Sequence, residues 1–285
     1  MKGKKCIVTG GNSGIGFETA KALAEKGAAV TIVCRNPDKG QKAVNEINSA
    51  INNDAVTLQI ADMASQYSIR EAAAAIKAKW PVVDVLVNNA GTWFSKRQMT
   101  ADGVETQFAV NHLAYFLFSR ELLPSLGKSG EARIVNVASD SHFHGKMHFD
   151  DLSLEKKYHG LRAYAQSKLA NVMFTYEFAR RNPHHTISIY AVQPGLVKTD
   201  IGLKHTFSIH GLAWKIRRMA GVTPAEGAAT SIYLASSPEV AGETGKYWDK
   251  CRPKPSSKAS YVKEDSARLW DLSCRLCNID GYFDI

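Results

Sequence analysis

The sequence predicts an α/β fold, a single domain in which a doubly wound parallel sheet is covered by helices on both faces. Three observations predict it. Short apolar runs alternate with longer stretches of helical period along most of the chain. The apolar runs are continuous rather than alternating, as strands buried on both faces must be. The first run closes on a glycine-rich turn that leads straight into a helix.

Taken in order, residues 5–9 (KCIVT) form the first strand and 15–26 the first helix, with Ile15, Ala22 and Leu23 on one face. Residues 30–34 (VTIVC) give the second strand, 39–51 the second helix and 56–60 the third strand. Residues 65–79 read as an alanine-rich helix stopped by Pro81, and 83–87 (VDVLV) as the fourth strand. The second half repeats the rhythm: a long helix over 103–126, a strand over 133–138 (RIVNVA), a long helix over 161–180 and a strand over 187–192 (ISIYAV). Residues 224–236 form a helix with Pro224 in its first turn, where the missing N–H is not needed. A short strand follows over 246–248. No linker, repeat or low-complexity stretch divides residues 1–285.

Composition narrows the function classes. With 45% hydrophobic and 22% charged residues the 285-residue chain can bury a substantial core. The five cysteines are odd in number, widely spread and not preceded by a secretory signal, so free thiols in a reducing, cytoplasmic compartment are expected. Cys274 and Cys277 form a lone CxxC with no second pair and no histidine at ligand spacing, so no metal is expected. The net charge of +9 suits an anionic cofactor, a nucleic acid or a membrane surface. No nucleic-acid motif appears, which leaves nucleic acid without support. No apolar run approaches the roughly 20 residues needed to cross a bilayer, so contact with a membrane is peripheral at most.

The first turn reads Thr9-Gly10-Gly11-Asn12-Ser13-Gly14-Ile15-Gly16. Glycines there let the backbone turn tightly and approach a pyrophosphate, at which the following helix points its free N–H groups. Further along, Tyr164 and Lys168 stand at i and i+4 on a long helix, hence on one face. A nearby ammonium favours phenolate and is expected to lower the phenol's pKa. Ser139 lies just past the fifth strand, at the strand ends where open α/β sheets build their sites.

The TGxxxGxG spacing, Asn88-Asn89-Ala90-Gly91 after the fourth strand, Asn111 on the first long helix, Ser139, the YxxxK of Tyr164 and Lys168, and Pro194-Gly195 after the sixth strand together resemble the short-chain dehydrogenase/reductase family. The resemblance covers nearly the whole chain and implies a Rossmann-type fold and an oxidoreductase. It implies that Gly10, Asn12, Ser13, Gly14, Ile15 and Gly16 surround the cofactor pyrophosphate and that Asp62 contacts adenine. It implies further that Asn89, Ala90 and Gly91 skirt the cofactor, and that Pro194, Gly195, Val197 and Thr199 hold the nicotinamide amide. Where NAD-preferring members carry an acid closing the second strand, this sequence has Cys34 followed by Arg35. With no carboxylate to repel a 2′-phosphate and a guanidinium to bind it, NADP(H) is expected over NAD.

By the same resemblance, Ser139 donates a hydrogen bond to the substrate oxygen and Tyr164 gives it a proton. Lys168 tunes Tyr164 and holds the nicotinamide ribose, and Asn111 positions a relay water. Ser167, beside Lys168, reads as an ordinary helix residue, and His142, His144 and His148 as a solvated loop in preference to a border of the pocket. The segments RIVNVAS, Asp151-Leu152, YAQSKLAN and RLWDLSC look like the retinol dehydrogenase and WW-domain oxidoreductase branch. Membrane members of that branch carry an apolar N-terminal anchor, whereas this sequence starts at its first strand. Residues 196–222, with Phe207, Trp214 and Met219 among basic residues, are expected to form the substrate lid, ahead of an ordinary packed helix and of a basic amphipathic segment touching an anionic membrane. The expected reaction is reduction of a hydrophobic aldehyde or ketone, retinal-like, lipid or steroid, by NADPH, reversibly, in a protein that family analogy makes a homodimer or homotetramer. The alternatives are an NAD-linked alcohol or hydroxysteroid dehydrogenase and a non-catalytic nucleotide sensor, which would have lost Ser139, Tyr164 or Lys168.

Overall fold

The described strands lie in the order β3-β2-β1-β4-β5-β6-β7-β8, and every pairing is parallel except that of β7 with β8. The structure is a computed structural model and describes residues 1–183, 186–197 and 221–284. The strands are β1 (Lys5–Thr9), β2 (Ala29–Cys34), β3 (Val56–Ile60), β4 (Val85–Asn88), β5 (Ala132–Val137), β6 (Ile187–Gln193), β7 (Lys246–Asp249) and β8 (Arg252–Pro253). The chain winds outward from β1 through β2 to β3, then returns to the other side of β1 for β4. The carboxyl ends of β1 and β4 are therefore a switch point, where crossovers leave in opposite directions and open a crevice.

Successive strand residues supply the two faces alternately. Ile7, Leu86, Ile134 and Ile189 join Phe116, Phe118, Phe174, Trp270 and Tyr282 on one side. Val8, Val87, Val135 and Val192 join Leu23, Val44, Ile47 and Leu234 on the other. The helices that cover the sheet are α1 (Gly14–Glu25), α2 (Pro37–Ile51), α3 (Gln66–Lys79), α4 (Thr106–Phe108), α5 (Ala114–Leu126), α6 (Gly160–Arg181), α7 (Pro224–Ser236) and α8 (Lys263–Leu276). Helix starts follow local chemistry. Asn36 accepts from the Lys39 N–H ahead of Pro37, and Thr223 and Glu226 form a reciprocal capping box ahead of Pro224.

Three expectations need correction. The fourth strand starts at Val85, not at residue 83, because Asp84 turns its carboxylate to the Lys5 N–H (2.7 Å), Lys4 Nζ (2.9 Å) and Ser129 Oγ (2.7 Å). The helix expected over 103–126 starts at Thr106, capped by the Glu105 carboxylate, and a π turn, Ala109–Leu113, separates α4 from α5. The face α1 buries is Gly16, Thr19, Ala20, Leu23 and Ala24, leaving Ile15 and Ala22 half-buried, because Gly16 seats the helix on the first turn. Of the expected lid, only Leu196, Val197, Gly221 and Val222 lie within the described residues. No described helix is long and apolar enough to cross a membrane.

Candidate active site

The crevice begins at the glycine turn. Gly10 and Gly14 adopt φ of +67° and +57°, and a Cβ on Gly16 would stand 2.3 Å from the Gly10 carbonyl oxygen and 2.5 Å from Asn89 Nδ2. The turn and α1 thus meet in a space that only glycine permits. Ser13 precedes α1 without a side-chain cap, and no acid stands in the first turn. The opening N–H groups and the positive end of the helix dipole are left for an anion, as a dinucleotide pyrophosphate requires. Asn12 and Ile15 are half-buried in the same turn.

Thr9 ties this turn to the next one. Its hydroxyl accepts from the Asn89 and Ala90 N–H groups, both at 2.9 Å, and Asn89 Nδ2 donates to the Thr9 carbonyl at 2.8 Å. The strand-end hydroxyl was not singled out in the sequence, although a polar residue closing a buried strand is itself a signal. Gly91 follows, and Asn111 clamps the next residue: the Thr92 N–H donates to Asn111 Oδ1 (2.7 Å) while Asn111 Nδ2 donates to the Thr92 carbonyl (3.0 Å). Asn111 sits in the π turn and is fully buried. Its Nδ2 also donates to Ser167 Oγ at 3.0 Å. The Asn111 side chain is therefore engaged with Thr92 and Ser167, and Ser167, read as an ordinary helix residue, is one of its partners.

At the end of β2, Cys34 is buried and donates its thiol to the Asn36 carbonyl at 3.4 Å; burial raises its pKa. The neighbouring Arg35 side chain is 72% exposed, with Nη1 3.7 Å from Asp62 Oδ2. Such an exposed pair is weak and leaves the guanidinium available. Asp62 anchors the turn after β3, accepting from the Ala64 N–H at 2.9 Å. After β6, Gly195 takes φ of +83°, and Pro194 and Val197 approach α7 so closely that a Cβ on Gly227 would stand 2.5 Å from a Val197 methyl. Thr199 lies outside the described residues.

The proton-handling groups gather where β5 ends. Ser139 Oγ accepts from the Ser141 N–H at 3.1 Å and interacts with the Tyr164 hydroxyl. Lys168, on the same face of α6 as Tyr164, donates Nζ to the Val137 carbonyl at 2.8 Å. Its Nζ lies 5.7 Å from the ring centroids of both Tyr164 and Tyr115. The expected lowering of the phenol's pKa does not occur. Burial pushes Tyr164 up to about 12 against the opposing bond from Ser139, while burial draws Lys168 down to about 7. Desolvation disfavours both charged forms, and here it outweighs any help the ammonium gives the phenolate.

His142, read as part of a solvated loop, is fully buried. Its Nε2 accepts from the Ser257 N–H at 3.0 Å, so Nδ1 carries the proton and donates to the Ser139 carbonyl at 2.7 Å. Among the described residues no cluster of histidine, cysteine and acidic side chains has metal-binding geometry.

The family model described as short chain dehydrogenase matches residues 4–206. Retinol dehydrogenase 12 of Homo sapiens is 39% identical over 279 residues, covering 98% of this chain and 88% of that protein. A crystal structure of an uncharacterised protein from Mycobacterium paratuberculosis superposes with a TM-score of 0.79 at 28% identity, covering 98% of this chain and 94% of that one. The 3-ketoacyl-(acyl-carrier-protein) reductase of Brucella melitensis, solved with NADH, gives a TM-score of 0.67 at 28% identity, covering 87% of this chain and 97% of that one. With sheet order, glycine turn and the Ser139, Tyr164 and Lys168 cluster in agreement, the chain belongs to the short-chain dehydrogenase family of oxidoreductases.

Proposed function

We propose that the protein is an NADP(H)-dependent oxidoreductase that reduces a hydrophobic aldehyde or ketone, retinal-like, lipid or steroid, to the alcohol. The observation that carries the reading is the meeting of Ser139, Tyr164 and Lys168 at the carboxyl end of β5, beside a glycine turn built to receive an anion. When bound, the nicotinamide supplies the hydride. The Ser139 hydroxyl, oriented by the Ser141 N–H, donates to the substrate oxygen as negative charge grows there. Tyr164 gives that oxygen its proton. A phenol held near 12 is protonated throughout the neutral range, the form that reduction needs. Oxidation of an alcohol runs the same proton transfer backwards and needs the phenolate first. Phe143, four residues beyond Ser139, is 44% exposed and Leu161, one helical turn before Tyr164, is 45% exposed, apolar surface available to a hydrophobic substrate. The similarity to retinol dehydrogenases points the same way.

Preference for NADP(H) rests on Cys34 and Arg35. A charge-assisted contact between Arg35 and a 2′-phosphate is worth about 1.5–3 kcal/mol, or roughly one to two decades in affinity. Calorimetric titration of the purified protein with NADPH and NADH is expected to show that margin, and Arg35→Ala to remove most of it. Equal affinities, or tighter NADH binding, would favour the NAD-linked alternative. A panel of hydrophobic carbonyls followed by NADPH absorbance identifies the substrate class.

A further inference from the structure

The turn that carries Ser139 is gripped from a distant part of the chain. Ser139 opens the 3₁₀ turn Asp140–His144. Gly145 presses the end of that turn onto α6, where a Cβ would stand 2.6 Å from the Ala165 carbonyl oxygen. The opposite side is held by the end of β6, by β7 and by the residues after it. The Asp140 carboxylate accepts from Tyr247 Oη at 2.8 Å and from Lys254 Nζ at 3.0 Å on each oxygen, and the Asp140 N–H donates to Gln193 Oε1 at 3.1 Å. Lys254 is shared with Asp249 at 3.0 Å. The His142 ring then spans from the Ser139 carbonyl to the Ser257 N–H, and packs edge-on against the Tyr247 ring at 4.7 Å.

We propose that the segment after β7, acting through Lys254 and Ser257, is a clasp that sets the position of Ser139, with Asp140 and His142 as its positioning residues. The inference rests on the reading that Ser139 serves the substrate oxygen. Two features argue for positioning rather than bulk stability. The Asp140 and Lys254 side chains are 42% and 33% exposed, so solvent screens their attraction and limits what it adds to stability. They nevertheless converge on the residue next to Ser139, and a side chain that is neutral, buried and bonded at both ring nitrogens is a splint of fixed length. A hydroxyl displaced by about 1 Å costs on the order of 100-fold in rate. Burial and the nearby Lys254 charge hold His142 in the neutral form this bridge needs, against the Ser139 carbonyl and Asp140, which favour its proton; Tyr247 is the remaining titratable group against it, held protonated by burial and Asp140.

The test compares Lys254→Met, Lys254→Arg, Ser139→Ala and the Ser139→Ala/Lys254→Met double variant in the full chain. Amide hydrogen exchange needs no substrate. Lys254→Met is expected to speed exchange at Ser141 and His142 by about fivefold or more relative to β1 amides, with little change in Tm, and Lys254→Arg to restore protection. With NADPH and decanal, benzaldehyde or all-trans-retinal, Lys254→Met is expected to lower kcat about 10- to 100-fold at unchanged NADPH affinity. In the Ser139→Ala background the same change should cost nothing further, since both act through one hydroxyl. Unchanged exchange in Lys254→Met overturns the clasp, as does a kcat loss that persists undiminished without Ser139. A wild-type protein that reduces none of the carbonyls, or a Ser139→Ala variant of wild-type rate, defeats the functional reading instead, and the exchange data then decide the clasp alone.

Discussion

A lysine ammonium buried at the end of β5 has to be carried by its surroundings, and Lys168 is carried thinly: one carbonyl at 2.8 Å and two ring faces. Its pKa in the fold lies near 7, below the ordinary 10.5, so burying it charged costs stability. The cost is absent above about 10.5 and grows as pH falls toward about 7. Lys168→Met is therefore expected to raise Tm near neutrality and to lose that advantage in strong alkali, while abolishing turnover; a stability gain independent of pH would contradict the assignment. Tyr164→Phe removes only a hydroxyl and should spare folding and NADPH binding while lowering turnover by about 10²–10⁴-fold. Because the phenol is held near 12, alcohol oxidation should climb with pH through the alkaline range while carbonyl reduction stays level. A flat oxidation profile would point to another base. At this scale the meeting of Tyr164 and Lys168 near Ser139 could be read, because motif spacing and strand ends are local. The upward shift of the Tyr164 pKa and the downward shift of the Lys168 pKa could not, since both arise from desolvation by residues far apart in sequence. His142 was misread for the same reason: the group that fixes its tautomer, Ser257, lies 115 residues away.

Among the elements, α1 depends on close approach at its first turn. Gly16→Ala would gain helix propensity but place a Cβ against the Gly10 carbonyl, which cannot swing aside as a side-chain end could. Overpacking of that kind costs about 1–3 kcal/mol, more than the roughly 1 kcal/mol that propensity returns. The variant should melt lower and bind NADPH more weakly. Gly127, at the end of α5 with φ of −61° and open space around it, is the control: Gly127→Ala should stabilise by about 0.4–1 kcal/mol. Differential scanning calorimetry of both variants separates the two effects. Strand and helix order could be read from periodicity, and α7 was bounded correctly because Pro224 marks its start. The π turn left no such mark. An i→i+5 step is set by what the helix packs against, and here it accompanies the burial of Asn111 against Thr92, a contact that no local pattern encodes.

For the molecule as a whole, His112 joins three elements. It lies in the π turn, its ring nitrogens face Asn171 of α6 at 3.4 Å and Ser273 of α8 at 3.0 Å, and it packs near Phe108, Phe116 and Phe174. Burial lowers its pKa from 6.5 to about 3. The stability this neutral ring allows is present above about 6.5 and is lost as pH falls toward about 3. The wild-type Tm should therefore drop steeply on acidification and that of His112→Gln less so; parallel curves would mean that other groups govern acid unfolding. The order of the sheet has a further consequence at its two margins. On one side β8 ends the sheet after Arg252 and Pro253, and a proline without an N–H beside a charged residue offers a poor template for another strand. On the other side β3 presents VTLQI, uncharged and rich in β-formers, guarded by Lys79 donating to Thr57 at 2.9 Å. Among the described residues, strand addition thus has its favourable point of entry at β3, and Lys79 is the gatekeeper whose loss would open it.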